Sequence, residues 1–266
     1  MADARRWRPS ALIAASAGLH ALAGASLVAA PSQWPWALGL VAFDHVALTV
    51  AGLVPRWALL GPNLVELTNS SAGRIALTFD DGPDPTVTPH VLDLLDRHRA
   101  RASFFCIGEL VRRHEALARE IVARGHRIEN HSYHHSKAFS LYSPGAQRSE
   151  IGRAQATIAD LVGRQPTLFR APAGLRNVFL EPILTSAGLR LVTWTRRGFD
   201  TVTRDPRRVT ARLIRGLSAG DILLLHDGSP ARDANGGPVT LEALEMLLSE
   251  MERRDLVSVP VDEGLR

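Results

Sequence analysis

Apolar and polar positions divide the chain into two parts of different character. From residue 73 onward, short apolar runs alternate with segments whose apolar positions recur with the period of a helix. The apolar runs predict strands over Ile75–Phe79, Ala102–Ile107, His126–Asn130, Thr167–Phe169, Leu189–Trp194, Asp221–Leu225 and Leu256–Val259. The amphipathic segments predict helices over Thr88–His98, Glu109–Arg124, Ser143–Leu161, Val178–Ala187, Asp205–Leu217 and Thr240–Arg254. Gly125, Gly188 and Gly220 fall between a helix and a strand, where a left-handed residue commonly ends the helix.

This regular alternation predicts an α/β fold with a parallel sheet and right-handed crossovers. Both a closed barrel and an open doubly wound sheet satisfy the pattern. In either architecture, ligands bind at the carboxyl ends of the strands.

The first 60 residues carry two apolar runs, Ala11 to Ala30 and Trp36 to Val54. Each is long enough to cross a hydrocarbon core of about 30 Å, which predicts two transmembrane helices packed as a hairpin. A cleaved signal peptide or a single anchor is the competing interpretation, because a basic start, an apolar run and Val28-Ala29-Ala30 fit a signal peptide. We therefore expect a membrane anchor over 1–60, a linker over 61–73 and a catalytic domain over 74–266.

Basic residues lie before the first run, at Arg5, Arg6 and Arg8, and after the second, at Arg56. The short loop between the runs has none, so the positive-inside rule predicts a multi-pass protein of a bacterial-type inner membrane, with both ends in the cytoplasm. If the second segment lay along the interface instead, the catalytic part would be outside.

Asp44 and His45 interrupt the second run near its middle, where ionisable groups are costly and usually face a partner. Two arrangements remain open from the sequence. They pair with each other, or with His20 of the first run.

The composition is that of a globular protein, with 45% hydrophobic and 22% charged residues in 266. The net charge of +4 comes from arginines, with Lys137 as the single lysine, and those scattered through the predicted helices lack the interleaved aromatic residues of a base-stacking platform. This pattern argues against nucleic-acid binding. Cys106, the one cysteine, lies in an apolar run and is expected in the core.

Polar residues with chemical potential follow the predicted strands at their carboxyl ends. They are Asp80 and Asp81 after the first strand, His131 and His135 after the third, Arg170 after the fourth, Asp200 after the fifth and His226 after the sixth. Because these strand ends share one rim, we expect the side chains to converge.

Two imidazoles and one carboxylate would form an open three-ligand site of the kind that binds catalytic zinc. His131 and His135 are four residues apart, so a helical turn would place both rings on one face, and His134 could replace His135. The adjacent pair Asp80 and Asp81 would divide the work, one as a metal ligand and one as a base. A divalent cation would also offset their mutual repulsion.

His226 ends an apolar strand and is either a core-edge histidine or a general acid for a leaving group. Arg170, in the stretch "FRAPAG", either fixes a carboxylate with its planar fork or makes a surface ion pair.

Taken in order, "TFDDGP", "HSYHH", "RAPAG", "WTRRGFD" and "LLLHD" resemble the motifs of the polysaccharide deacetylases, the NodB-homology or family-four carbohydrate esterases. The resemblance covers about residues 74 to 260. It implies a distorted (β/α)7-type barrel and metal-dependent hydrolysis of the N-acetyl group of an amino sugar by activated water.

The resemblance also implies roles for individual residues. Asp80 resembles the catalytic base, His226 the acid that protonates the leaving amine, and Arg170 the residue that orients the base. Asp81, His131 and His135 resemble the metal ligands, with zinc as the expected ion. Asp200 resembles a carboxylate that supports either the histidine or the arginine. The expected substrate contacts are the main chain at Ala173, Leu224 beside the acetyl methyl, and Trp194.

This chain departs from the family pattern in two places. Ala173 stands where an aromatic residue is common, and Arg197 and Thr201 replace an Asp and a Trp around the core aspartate of the fourth motif. The shape of the groove, and hence the substrate, is the property that these changes affect.

Together the observations predict a membrane-anchored deacetylase acting on an N-acetylated amino sugar of a polysaccharide or a lipid-linked saccharide. A deformylase-like variant fits the same residues. The alternatives are a carbohydrate-binding pseudoenzyme of the same fold and a two-carboxylate glycosidase.

Overall fold

The computed structural model describes residues 6–69 and 73–265. Residues 1–5, which include Arg5 of the topology prediction, lie outside this description, as do positions 70–72 of the expected linker and residue 266.

Within the described residues, strands and helices alternate as the sequence predicts. The helices are α1 Ala11–Ala29, α2 Trp34–Leu53, α3 Thr88–Arg97, α4 Gly108–Arg113, α5 Glu115–Ala123, α6 Pro144–Val162, α7 Leu180–Ser186, α8 Pro206–Ile214 and α9 Val239–Arg253. The strands are β1 Arg74–Asp80, β2 Ala102–Cys106, β3 Arg127–Asn130, β4 Leu168–Phe169, β5 Arg190–Leu191, β6 Arg196–Arg197, β7 Ile222–His226 and β8 Val257–Ser258.

The strands form one curled parallel sheet in the order β5-β4-β3-β2-β1-β7-β6, with β8 paired to the start of β1. β1 is central, and its last residue, Asp80, lies opposite Phe105 of β2 and His226 of β7. The result is a half-barrel, which confirms the predicted α/β barrel-type fold.

The largest core cluster packs helices α3, α8 and α9 against the outer face of the sheet. Phe79 and Phe104 stack there with ring centroids 5.0 Å apart. Each fully buried side chain of this size contributes about 1.5–3 kcal/mol relative to exposure, so the cluster fixes the strands on which the polar rim depends.

Two of the three glycines end helices as predicted. Gly125 and Gly188 follow the caps of α5 and α7 and have φ values of 84° and 70°, in the left-handed region that residues with a Cβ avoid. Gly220, with a φ of 95°, lies in the turn before β7, beyond the end of α8 at Ile214, so the prediction that it ends this helix is wrong.

Two predicted elements are interrupted. The helix expected over Glu109–Arg124 breaks at His114, whose φ and ψ of −123° and 51° are not helical. The apolar period continues across this break, so the sequence pattern does not reveal it.

The strand expected over Leu189–Trp194 was also wrong in extent. Only Arg190–Leu191 pairs with β4, and a separate strand forms at Arg196–Arg197 on the edge of β7. Val192 N still donates to Phe169 O of β4 at 2.9 Å, and Leu64 pairs with Val192 from the other side, through Leu64 N to Leu191 O at 3.0 Å and Thr193 N to Leu64 O at 2.8 Å. A segment distant in sequence thus lies along the edge of β5 that faces away from β4.

The stretch expected as a linker is hydrogen-bonded to the sheet where it is described. Besides Leu64, Leu67 N donates to Gly220 O at 2.8 Å, and the Leu67 side chain is buried among strand residues. The division into anchor, linker and catalytic domain remains a prediction.

Helices α1 and α2 lie side by side and have 19 and 20 residues, about the length that crosses a bilayer. Both are candidate membrane spans, and most of their surface is exposed, including Leu22, Leu40 and Phe43. Ser10 Oγ, just before α1, donates to Leu59 O after α2 at 2.6 Å, so the two outer ends of this pair of helices lie together.

The polar residues of these helices face each other across the pair. Ser16 Oγ donates to the buried carboxylate of Asp44 at 2.7 Å, and His20 Nε2 lies 3.3 Å from His45 Nε2. His20 of the first helix is therefore the partner of His45, which is one of the two arrangements left open by the sequence. The pairing of Ser16 with Asp44 was not predicted.

The end of α2 packs against the sheet domain. Arg176 N donates to Gly52 O at 3.1 Å, and the Arg176 side chain donates to Trp57 O. A Cβ at Gly52 would collide with Arg176 O, so glycine permits this approach.

Candidate active site

The predicted residues meet in one cleft of about 450 Å³ at the carboxyl ends of the strands. Eight of them line it: Asp80, Asp81, His131, His135, Ala173, Trp194, Leu224 and His226. Arg170 and Asp200 lie beneath the cleft, where they contact Asp80 and His226.

Asp80 and Asp81 point to different partners because the chain turns sharply after β1. Asp80 is the last strand residue, whereas Asp81 has a φ of 72°. Gly228 makes this turn possible, since a Cβ there would collide with the main chain of Asp81. The two carboxylates thus leave the strand end in different directions.

Asp81, His131 and His135 form a cluster whose potential ligand atoms all lie within 4.8 Å of one another. Asp81 Oδ1 is 3.3 Å from His131 Nε2 and 3.1 Å from His135 Nε2. This carboxylate oxygen is buried without a hydrogen-bond partner, which is costly unless a cation compensates. Two imidazoles and one carboxylate are a donor set that suits zinc, so these residues fit a divalent metal.

A hydrogen bond to the main chain orients the ring of His131 toward Asp81. Its Nδ1–H donates to Arg170 O at 2.8 Å, which leaves Nε2 to face Asp81. Such a bond to the second ring nitrogen is typical of metal-binding histidines.

The predicted helical turn between the two histidines is wrong. Residues 131–135 form a loop in which Ser132 and His135 have φ values of 65° and 52°. Asn130 Oδ1 accepts from Ser132 N at 2.9 Å, and Ser132 Oγ accepts from His135 N at 3.1 Å. These side chains replace helical hydrogen bonds, and the loop still brings both rings together, with centroids 4.7 Å apart.

His134, the alternative ligand, points elsewhere. Its Nδ1 lies 2.7 Å from Glu150 Oε1 and its backbone N–H donates to Glu150 Oε2 at 2.9 Å.

Charges in the cluster shift the pKa values of its members. Burial alone would raise the pKa of Asp81, but the adjacent His131, His135 and His226 hold it well below its ordinary value. Burial opposes protonation of His131, yet Asp80 and Asp81 raise its pKa. Burial and the neighbouring His131 together lower the pKa of His135. The cluster therefore keeps its carboxylate ionised and ready for a cation.

Asp80 is paired with Arg170 in the interior. Arg170 Nη1 donates to Asp80 Oδ1 at 2.6 Å and to Thr78 Oγ1 at 2.9 Å, while Nη2 donates to Thr193 O at 2.8 Å. The guanidinium carbon also lies 4.0 Å from the centroid of the Phe105 ring. Burial lowers the pKa of Arg170, and the charge of Asp80 opposes that shift. Arg170 therefore fixes a buried carboxylate, as the first of its two interpretations predicts, and does not form a surface ion pair.

Asp200 contacts the histidine and not the arginine, which decides between the two open alternatives. His226 Nδ1–H donates to Asp200 Oδ1 at 2.9 Å, and His226 N donates to Asp200 Oδ2 at 2.7 Å. Burial would lower the pKa of His226, but the hydrogen bond and charge of Asp200 raise it. The imidazole thus keeps its proton at higher pH than an ordinary histidine.

The walls of the cleft are built by the three expected substrate contacts. Ala173 has a φ of 55°, which turns the main chain at the rim. Leu224 lies on β7 and is buried. The Trp194 ring packs so closely against Gly174 that a Cβ on this glycine would collide with the ring. The same glycine faces the ring of Pro55, so the exit of α2 abuts this wall.

Sequence reasoning missed two hydroxyls that complete the buried network. Thr78 accepts from Arg170 and donates to Leu223 O at 2.7 Å, and Thr240 donates to Asp200 Oδ2 at 2.6 Å. Thr78 could have been noticed as a polar residue within an apolar strand. Thr240 opens a helix far along the chain and gives no such signal.

A His, His, Asp cluster beside a buried carboxylate, at the strand ends of a curled parallel sheet, suits a metal-dependent hydrolase. A sequence profile described as "Polysaccharide deacetylase" matches residues 68–192. The chain belongs to the polysaccharide deacetylase family, in which metal dependence is typical.

Two curated relatives are similar over most of their length. The chain is 36% identical to a peptidoglycan-N-acetylglucosamine deacetylase of Bacillus cereus, over 72% of this chain and 88% of that one. It is 33% identical to a chitooligosaccharide deacetylase of Bradyrhizobium sp., over 73% of this chain and 91% of that one.

A solved structure shares the fold. BA3943 of Bacillus anthracis, described as a family-four pseudoenzyme, superimposes with a TM-score of 0.69 at 21% identity, over 77% of this chain and 69% of that one. This likeness concerns the fold alone.

Proposed function

We propose that the chain is a membrane-anchored deacetylase that uses zinc to remove the N-acetyl group from an amino sugar of a polysaccharide or lipid-linked saccharide. The observation that carries the proposal is the buried, unpartnered Asp81 oxygen between two imidazoles, in the same cleft as the Arg170–Asp80 pair. The relatives named for peptidoglycan and chitooligosaccharides support an N-acetylated amino sugar as the substrate class.

Asp81, His131 and His135 would hold the metal. When bound, a divalent cation there supplies a Lewis acid that polarises the amide and lowers the pKa of a water molecule.

The other residues would act on protons. Asp80, held in place by Arg170, would accept a proton from the attacking water. His226 would donate a proton to the leaving amine, and its raised pKa and its bond to Asp200 support this role. Leu224 would contact the acetyl methyl, Trp194 the sugar, and the main chain at Ala173 the carbonyl oxygen as it gains charge.

The test is metal analysis and acetate release by the purified full-length protein with chitotetraose and peptidoglycan fragments. Zinc at about one per chain together with acetate release supports the proposal. Zinc with tight sugar binding but no acetate would instead support the alternative of a carbohydrate-binding pseudoenzyme.

We also propose that α1 and α2 span the membrane as a hairpin with the catalytic part in the cytoplasm. The contact between Ser10 and Leu59 supports a hairpin, because both ends lie together. Arg6, Arg8 and Arg56 all lie at this end, which supports the cytoplasmic side.

A reporter fused to the carboxyl end tests the orientation. A fluorescent protein that folds only in the cytoplasm should be bright, and an alkaline phosphatase fusion should be inactive. The reverse result would mean that the catalytic part is outside. A cytoplasmic site would make lipid-linked saccharides of the inner leaflet the accessible substrates.

A further inference from the structure

Two neighbouring arginines on strand β6 have opposite environments. Arg196 faces away from the cleft, donates to Asp221 Oδ2 at 2.5 Å and also bonds the carbonyls of Arg215 and Gly216. Arg197 faces the cleft, and its Nε is buried without a hydrogen-bond partner. Among the residues that the structure describes, no acceptor or carboxylate pairs with the Arg197 guanidinium.

Arg197 is nevertheless held in place. Its guanidinium carbon lies 5.3 Å from the ring centroid of Trp194 and 4.9 Å from that of Phe199. Aromatic rings fix a guanidinium through its faces and leave its N–H groups, which lie in its plane, free to donate. A fixed fork of this kind matches the oxygens of a phosphate.

Arg197 lies in the same cleft as the proposed catalytic residues. In the sheet register it is opposite Leu224, which lines the cleft beside the proposed acetyl pocket. Lys137 lines the same cleft from the loop that follows His135, is exposed, and likewise has no ion pair among the described side chains.

The charge of the cleft favours an anionic ligand. Of the charged residues that line the cleft, Asp80 pairs with Arg170 and Asp81 would face a dication, whereas Arg197 and Lys137 have no carboxylate partner among the described residues. A neutral sugar chain would leave this charge unused, whereas a phosphate would pair with it.

We propose that Arg197, assisted by Lys137, binds a phosphate group on the substrate, so that the enzyme acts on an N-acetylated amino sugar linked to phosphate. This inference rests on the proposed function and narrows its substrate class. Two sources carry this chemistry, a lipid headgroup and a soluble sugar phosphate. The contact of the α2 exit, at Pro55, with the cleft wall at Gly174 would bring a membrane-bound headgroup within reach.

The test uses the full-length, zinc-loaded protein in detergent micelles. Acetate release is measured with neutral chitotetraose, with N-acetylglucosamine 1-phosphate, and with a short-chain polyprenyl diphosphate N-acetylglucosamine. We expect Arg197→Gln to lower the ratio of kcat/KM for phosphorylated to neutral substrate by roughly ten- to hundredfold, mainly through KM. Arg197→Lys should lose less, because it keeps the charge but not the fork.

Arg207→Gln is the matched control, since Arg207 is exposed on α8 and its removal changes the net charge equally. It should leave all three rates unchanged. The proposal would be overturned if Arg197→Gln left the ratio of kcat/KM for phosphorylated to neutral substrate unchanged, whether both values stayed the same or both fell equally. A wild-type preference for the polyprenyl substrate over the sugar phosphate would identify the lipid as the source, and equal rates would identify the soluble form.

Binding separates this inference from the proposed function. If no substrate releases acetate, the deacetylase proposal fails, and calorimetry with N-acetylglucosamine 1-phosphate against N-acetylglucosamine still tests Arg197. Tighter binding of the phosphate by wild type, lost in Arg197→Gln, supports the phosphate site, and equal binding overturns it.

Discussion

Arg170 Nη1 lies 2.6 Å from Asp80 Oδ1, and both side chains are buried beneath the cleft. Removing one partner of a buried ion pair leaves an uncompensated charge, which typically costs about 3–5 kcal/mol. We therefore expect Arg170→Met to lower the free energy of unfolding by that order and to reduce kcat by roughly 100-fold or more. Chemical denaturation and steady-state kinetics measure the two effects.

The double variant Arg170→Met with Asp80→Asn is the control for this pair. It removes the unpaired charge, so it should regain part of the lost stability while remaining inactive. A double variant no more stable than Arg170→Met alone would show that the ion pair is not the cause.

Asp80→Asn should separate metal binding from turnover. The substitution removes the proposed base but none of the three proposed metal ligands, so zinc content should stay the same while kcat falls by roughly 10²–10⁴-fold. Asp160→Asn, at an exposed position on α6, is the matched control and should behave as wild type. Normal turnover in Asp80→Asn would remove Asp80 from the base role.

Metal removal should abolish activity, and substitutions of the proposed metal ligands should lower zinc content whereas substitution of the neighbouring His134 should not. Chelation should inactivate the wild-type protein, and added zinc should restore it. Asp81→Ala and His131→Ala should lose zinc, whereas His134→Ala should keep it, because His134 pairs with Glu150. Zinc analysis after dialysis checks this, and zinc loss in His134→Ala would contradict the proposed ligand set.

Asp200→Asn should change the pH profile in a defined direction. Burial lowers the pKa of His226, and the bond and charge of Asp200 raise it above its ordinary value. Without that charge the pKa of His226 falls, so the proton needed for catalysis is lost at lower pH. We expect the alkaline limb of kcat/KM to move to lower pH. An alkaline limb that does not move would mean that another group is the acid.

Gly52→Ala tests whether α2 supports the cleft wall. The new Cβ would collide with Arg176 O, next to the loop of Ala173 and Gly174. We expect faster proteolysis of that loop and a several-fold loss of kcat/KM at unchanged zinc content. Gly39→Ala, in the same helix with open space around it, is the control and should change neither.

The sequence by itself determined the repeating pattern of strands and helices, because apolar periodicity reflects which face of each element is buried. It also determined that Asp80, Asp81, His131, His135, Arg170 and His226 would converge, because parallel strands place their carboxyl ends on one rim. The glycines that end helices were predictable for a local reason, since only glycine takes a positive φ without cost.

Tertiary structure alone decided the partners. Asp200 could have supported Arg170 or His226, and only the path of its loop pairs it with His226 and Thr240. The loop of His131 and His135 has a shape set by Asn130 and Ser132. Likewise, the pairing of Leu64 with Val192, and the packing of Gly52 against Arg176, join segments more than a hundred residues apart. Such contacts depend on the three-dimensional positions of both partners, whereas periodicity in a sequence reports only which face of its own element each residue occupies.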